Sequence, residues 1–216
     1  MSQGARSRII VGFLVILALA AGCELALGAD QPAPSSQRYR VVIVIAEGYQ
    51  EHEFWFPYYR FQEDGADIVV AGAQAGTVNG AGLHGKDGLP AVVAASIEEA
   101  TQKPFDVLYI PGGLWAAMTL RSHQPVLNLV RKALKEGKVV ATIGHAAWIL
   151  VSAYQVKGRT VAAPLEIATD IHNAGAYYVA SAAVRDGNLI TAVGPDDLPD
   201  LFTLLIPAIR ERVQGK

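Results

Sequence analysis

Three unbroken apolar runs constrain this chain more than any other feature: YRVVIVIA (Tyr39 to Ala46), FDVLYI (Phe105 to Ile110) and KVVATI (Lys138 to Ile143). A strand with one wet face alternates apolar and polar residues. A β-branched run that does not alternate has both faces covered, as parallel strands do in α/β proteins. Ala66 to Gly72 reads as a further strand of the same sheet. Between these runs lie segments of helical spacing. Glu53 to Asp64 stops at Gly65, and Pro125 to Glu136 carries proline near its first turn and stops at Gly137. Strands alternating with helices predict an α/β protein in three layers, with a mostly parallel central sheet between two layers of helices.

The remaining segments are shorter. Thr77 to Leu89 is glycine-rich and reads as a hairpin or long loop. Ser96 with Glu99 forms a capping-box pattern for a short helix. Ala146 to Tyr154 and Leu165 to Ala174 have helical spacing, with a strand near Arg159 to Ala163 between them. Tyr177 to Val193 holds strand-like pieces around an Asp186-Gly187 turn. An apolar helix from Asp197 onward closes the chain, with a bend expected at Pro207.

The first residues are of another kind. Arg6 and Arg8 precede the apolar run Ile9 to Ala21, which is short for a membrane span, and small residues follow. Residues 1–28 therefore read as an export signal, 29–38 as a Pro/Ser-containing linker, and 39–216 as one domain. Two cleavage routes fit. One runs through Ala20-Ala21-Gly22-Cys23, as in a lipoprotein, and would attach a lipid to Cys23. The other cuts after Ala26-Leu27-Gly28. The expected location is the periplasm, the membrane surface through that lipid, or the exterior. Cys23 is the chain's one cysteine, so thiol and disulfide chemistry are excluded from the domain that follows. With 18 Lys and Arg against 20 Asp and Glu, and no basic stripe, nucleic acid is not an expected partner.

In a parallel sheet, ligands bind beyond the carboxyl ends of the strands. Three loops fall there: Glu47 to Glu53, Pro111 to Leu114, and Gly144 to Ala147. The last turns a strand sharply into a helix, the geometry in which many enzymes hold a nucleophile. At its tip stands Gly144, for which a positive φ is expected, facing a cavity between Glu53 and the Gly113 amide. Five segments, AEGYQEHEF (46–54), YIPGG (109–113), IGHAAWIL (143–150), NAGAYYV (173–179) and GNLITAVGPDDLP (187–199), resemble the ThiJ/PfpI family, in particular its PfpI-like intracellular protease/amidase branch. The resemblance implies a flavodoxin-like sandwich related to class I glutamine amidotransferases. It also implies a cysteine at the elbow, a glutamate that hydrogen-bonds the thiol, an assisting histidine and a backbone oxyanion hole. Carried onto this chain, Glu53 matches the glutamate, His145 the histidine, Gly113 with Gly112 the oxyanion turn, and Gly144 the cysteine. The Gly-Pro that follows in the family is Ala146-Ala147 here, and Ala117 stands near an acid that some members use across a subunit interface.

Taken alone, several of these residues have plainer readings. Glu53 suits a helix first turn, and His145 a structural histidine. His52-Glu53 lacks a second histidine at helical spacing, so no metal is expected, and no cofactor either. His84, His123 and His172 read as surface residues. Tyr49, Trp115 and Trp148 suit either core or pocket. Asp196-Asp197 reads as a cap on the last helix. The expected protein is an exported, non-catalytic homologue that binds a small molecule or serves as an assembly partner, and associates as a homodimer or larger homo-oligomer. The alternative is a hydrolase or hydratase in which Glu53 and His145 activate water. Glu53 discriminates between them, because a working base must be desolvated with a raised pKa.

Overall fold

The computed structural model describes residues 38–82 and 87–215. The expected signal and linker, Cys23 and His84 lie outside the described residues. Seven strands form the central sheet in the order β10-β11-β7-β6-β1-β2-β5. These are β1 (Arg40–Val44), β2 (Asp67–Gly72), β5 (Ala95–Ser96), β6 (Val107–Ile110), β7 (Val139–Ile143), β10 (Ala183–Asp186) and β11 (Leu189–Ala192). All neighbours pair in parallel except β10 with β11, which close antiparallel around the Asp186-Gly187 turn. The three runs that began the sequence analysis are the adjacent strands β1, β6 and β7.

Both faces of these strands are buried, as the unalternating sequence requires. Val42, Val44, Leu108 and Val140 face one core, with α4 (Gln124–Lys135) and α5 (Ala147–Ser152) packed on it. Val41, Ile43, Val107, Tyr109 and Ile143 face the other, under α1 (Glu51–Glu63) and α7 (Leu198–Gln214). Helix α4 buries Val126, Leu127, Leu129, Val130, Ala133 and Leu134, which is one stripe at a 3.6-residue period. The glycine-rich region is a hairpin of β3 (Gly76–Asn79) with β4 (Pro90–Val93). Ser96 and Glu99 form the expected capping box on α2 (Ile97–Ala100).

Some expectations need correction, and one element had no expectation: Leu114–Leu120 is a helix, α3, with Gly113 as its N-cap. Its sequence offers no side-chain cap and directly follows a PGG turn, so the local signals point to loop while packing imposes a helix. The strand near Arg159 to Ala163 shrinks to β8 (Thr160–Val161), paired outside the main sheet with β9 (Tyr177–Tyr178). Residues Leu165–Ile167 form a 3-10 turn ahead of α6 (Ala168–Asn173). Helix α7 contains Pro207 in its interior, at the place where the bend was expected. Asp197 does not cap that helix through its side chain. Its carboxylate turns back and accepts the Gly194 N–H at 3.1 Å.

The segment from Val161 to Glu166 passes beside the elbow, and one buried contact ties it to the sheet. The Ala162 N–H donates to Thr191 Oγ1 of β11 at 2.9 Å, with both residues buried. Thr191→Val keeps the shape and removes the acceptor. It should destabilise the domain by about 1–3 kcal/mol, the range for a buried donor left unpaired. Chemical denaturation with an unchanged m-value would check this.

Candidate functional site

The site sits where β1, β6 and β7 end. Its central residue is Glu53, in the first turn of α1, fixed by one local cap and by two contacts that cross to β6 and the turn after it. The Gln50 N–H donates to the Gly112 carbonyl at 3.1 Å. The Gln50 side chain caps the helix by accepting the Glu53 N–H at 2.8 Å. The third contact follows from Pro57. Proline has no N–H, so the Glu53 carbonyl, four residues earlier, loses its helical donor. The buried Tyr109 hydroxyl supplies the missing one at 2.6 Å. Neither Pro57 nor Tyr109 was singled out from the sequence. A proline four residues after a candidate acid is the signal that would have found the pair.

The Glu53 side chain is 3% exposed, and its Oε2 accepts the Gly112 N–H at 2.7 Å. Burial disfavours the charged carboxylate and pushes its pKa up to about 7, with the Gly112 hydrogen bond acting in the opposite direction. Because Oε2 takes the N–H, the proton of the neutral acid belongs on Oε1. Gly112 must be glycine: a methyl group there would lie 2.5 Å from Oε2, 2.7 Å from the Ile143 carbonyl and 3.1 Å from the His145 nitrogen.

Gly144 opens a 3-10 turn, Gly144–Ala146, that leads into α5. Its φ is +61°, the left-handed conformation expected for it. The space a side chain would enter is lined by the Glu53 carboxyl itself: a methyl on Gly144 would sit 2.9 Å from Oε1 and 3.0 Å from Oε2. The expected cavity between Glu53 and the Gly113 amide is thus narrowed by the acid. Thr142 lies on β7 with its hydroxyl buried, and Ser152 Oγ accepts from Arg121 Nε at 3.2 Å, so neither hydroxyl stands at the tip.

His145 is partly exposed at the rim, with Nε2 3.5 Å from Glu166 Oε1. Its ring leans on Trp148, centroid to centroid 5.4 Å, and the Trp148 indole N–H donates to Asp170 at 2.7 Å. Glu166, Trp148 and Asp170 therefore join the rim around His145. Tyr49 is fully buried and donates its hydroxyl to the Leu89 carbonyl at 2.6 Å, so it is core. Trp115 is nearly half exposed on α3. Asp196 and Asp197 lie in the 3-10 turn that leads into α7. Among the described residues, no group of three His, Cys, Asp or Glu is placed to hold a metal ion.

Comparison with known proteins places this geometry. The model of the DJ-1/PfpI family matches residues 39–208. The chain belongs to the DJ-1/PfpI family. It is 32% identical to the deglycase PfpI of Pyrococcus furiosus, over 74% of this chain and 92% of that protein. It is likewise 32% identical to protein/nucleic acid deglycase 2 of Escherichia coli, over 74% of this chain and 91% of that one. Among solved structures, a two-domain protein from Anabaena variabilis with a DJ-1/ThiJ/PfpI-like and a ferritin-like domain superposes with a TM-score of 0.73 at 30% identity. That likeness covers 79% of this chain and 50% of the two-domain chain. Drosophila melanogaster DJ-1beta shares the fold, with a TM-score of 0.68 over 82% of this chain and 97% of that one.

The raised proton affinity of Glu53 has a consequence for stability. In the unfolded chain its pKa is near the ordinary value of 4.5, and in the fold it is about 7. Between these values the folded protein binds more protons, so this group's stabilising contribution is full below about 4.5 and is lost as pH rises through 7. The loss amounts to about 3 kcal/mol at roughly 1.4 kcal/mol per pH unit. Glu53→Gln keeps an acceptor for Gly112 and cannot ionise. Unfolding free energies measured from pH 4.5 to 8 should fall for the parent relative to this variant. Parallel curves would show that Glu53 is ionised and hydrated throughout.

Proposed function

We propose that this protein is a thiol-independent member of the family, which binds a small carbonyl or carboxylate compound at the elbow without forming a covalent bond to it. One observation carries the reading: the position that the family resemblance assigns to the nucleophile is Gly144, and the Glu53 carboxyl, not a side chain of the elbow, lines the space above it. Thiol attack on a carbonyl needs a sulfur held against an oxyanion hole. The sequence offers no cysteine between residues 39 and 216. What remains suits recognition. A neutral Glu53 presents Oε1–H toward Gly144, and the His145 main-chain nitrogen lies beside Gly112 at the same turn. A ligand oxygen would accept from these donors while His145 and Trp148 form the rim.

A second reading is favoured by the same acid. Glu53 is desolvated with a pKa near neutrality, the condition stated for a base that activates water. In that reading Glu53 takes a proton from a water over Gly144, and His145, paired with Glu166, returns one to the product. The named deglycase relatives make a catalytic role the more familiar one for the family.

The two readings separate by experiment. The purified chain should show no turnover of glyoxal-modified amino acids or of model aldehydes and peptides, and iodoacetamide should change nothing in the domain. Turnover abolished by Glu53→Gln would replace the binding reading with the water mechanism. Turnover that survives Glu53→Gln would reject both.

Export is part of the proposal and rests on Arg6, Arg8 and the run Ile9 to Ala21. Intact-mass analysis of the native protein should show a chain beginning between Cys23 and Ala29. A diacylglyceryl mass on Cys23 selects the lipoprotein route, and recovery of full-length chain from the cytoplasm rejects export. A homodimer or larger assembly is proposed on the family resemblance alone.

A further inference from the structure

Between α3, the end of α5 and α6 lies a cavity of about 400 Å³. It is walled by Arg121 from the end of α3, Tyr154 and Lys157 from the loop after α5, and Asp170 and Asn173 from α6, over an apolar floor that includes Val156. Its size falls within the range of small-molecule sites. Arg121 is held in place twice. Its guanidinium lies over the Trp148 ring, 5.0 Å from the centroid, and its Nε donates to Ser152 Oγ. Both contacts leave the two Nη groups without a partner among the described residues. The Lys157 and Asn173 side chains also make no hydrogen bond or ion pair there. Asp170 is the one carboxylate, and one of its oxygens is already taken by the Trp148 N–H.

A second observation marks the same place. Tyr154 has φ +58°, the one left-handed residue other than glycine among the described residues, and its side chain is 83% exposed. The conformation closes α5 with a C-terminal cap, in which the Gln155 N–H donates to the Leu150 carbonyl at 3.0 Å. Here it stands the ring at the rim of the cavity instead of folding it onto the core.

We infer that this cavity is a binding site for a small organic carboxylate with an apolar body, adjoining the elbow site and sharing Asp170 with its rim. Two cations against one half-engaged carboxylate give the cavity a net positive charge. The fixed guanidinium offers the paired donors that suit a carboxylate. Asn173 adds an amide, and Val156 with the Tyr154 ring takes the apolar part. The inference does not depend on the function of Glu53.

The test is a titration of the ¹⁵N-labelled full chain with benzoate, followed at the Trp148 indole N–H, with Trp148→Phe identifying the resonance. That N–H is bonded to Asp170 and its ring carries Arg121, so it reports on the cavity directly. A saturable shift is expected with benzoate and not with benzamide. Arg121→Gln should weaken binding about tenfold or more, as loss of a charge-assisted pair does, and Lys157→Ala should also weaken it. Unmoved Trp55 and Trp115 resonances show that each variant is folded. Glu53→Gln should leave the Trp148 titration unchanged, which separates this site from the elbow. The inference is overturned by a shift that does not saturate, by equal binding of benzamide, by tighter binding of benzylamine through Asp170, or by no effect of either cation variant.

Discussion

A short set of bonds between β6 and the start of α1 determines what this site can be. The strand grips the helix at Glu53 from both ends of the residue, through the Tyr109 hydroxyl at its carbonyl and the Gly112 N–H at its carboxyl. The first bond exists because Pro57 leaves a carbonyl unpaired in a place water does not reach. The second exists because Gly112 has no Cβ to hold the acid away. Burial of the carboxyl raises its proton affinity, while the Gly112 bond that orients it pulls the other way, and burial dominates.

The fold was legible because its strongest signal is also its strongest physical demand. Unalternating strands such as β1 and β7 have nowhere to go but the middle of a sheet, and two layers of helices must then cover them. The elements misread or missed are those where local signals and packing disagree. Helix α3 begins at a PGG turn with no capping side chain, and is held by burial of Ala116, Ala117 and Leu120. The strand around Thr160 is brief because its backbone is claimed by side chains as well as by β9: Asp186 accepts from Thr160, and Thr191 accepts from Ala162. Such bonds join residues far apart in the chain and leave no periodic trace.

The site was legible in part. Glu53, Gly112, Gly113, Gly144 and His145 do gather at the ends of three adjacent strands, as their loops implied. The positive φ at Gly144 follows from the tightness of a strand-to-helix turn. The supporting residues were not visible. Tyr109 looks like any core residue of a buried strand, and its hydroxyl has meaning only beside Pro57. Trp148 comes from α5, and Glu166 with Asp170 from the stretch that runs into α6, and only the return of the chain past the elbow brings the latter to His145. Sequence motifs mark the groups that face a ligand, whereas the groups that hold them in place are specified by the three-dimensional contacts.

Glycine at the elbow changes how the acid beside it is restrained. A side chain at position 144 would press on both Glu53 oxygens and would need the carboxyl to withdraw or to bond to it. With glycine there, nothing from the elbow competes for Oε1, and Gly112 alone fixes the group through Oε2. The acid is therefore held at one oxygen and available at the other. A carboxyl in that state can donate a hydrogen bond when neutral and accept a proton when charged, and with a pKa near 7 both forms are populated at neutral pH. Loss of a nucleophile at this turn would leave a site with directed acid–base character, provided that β6 keeps its hold on α1.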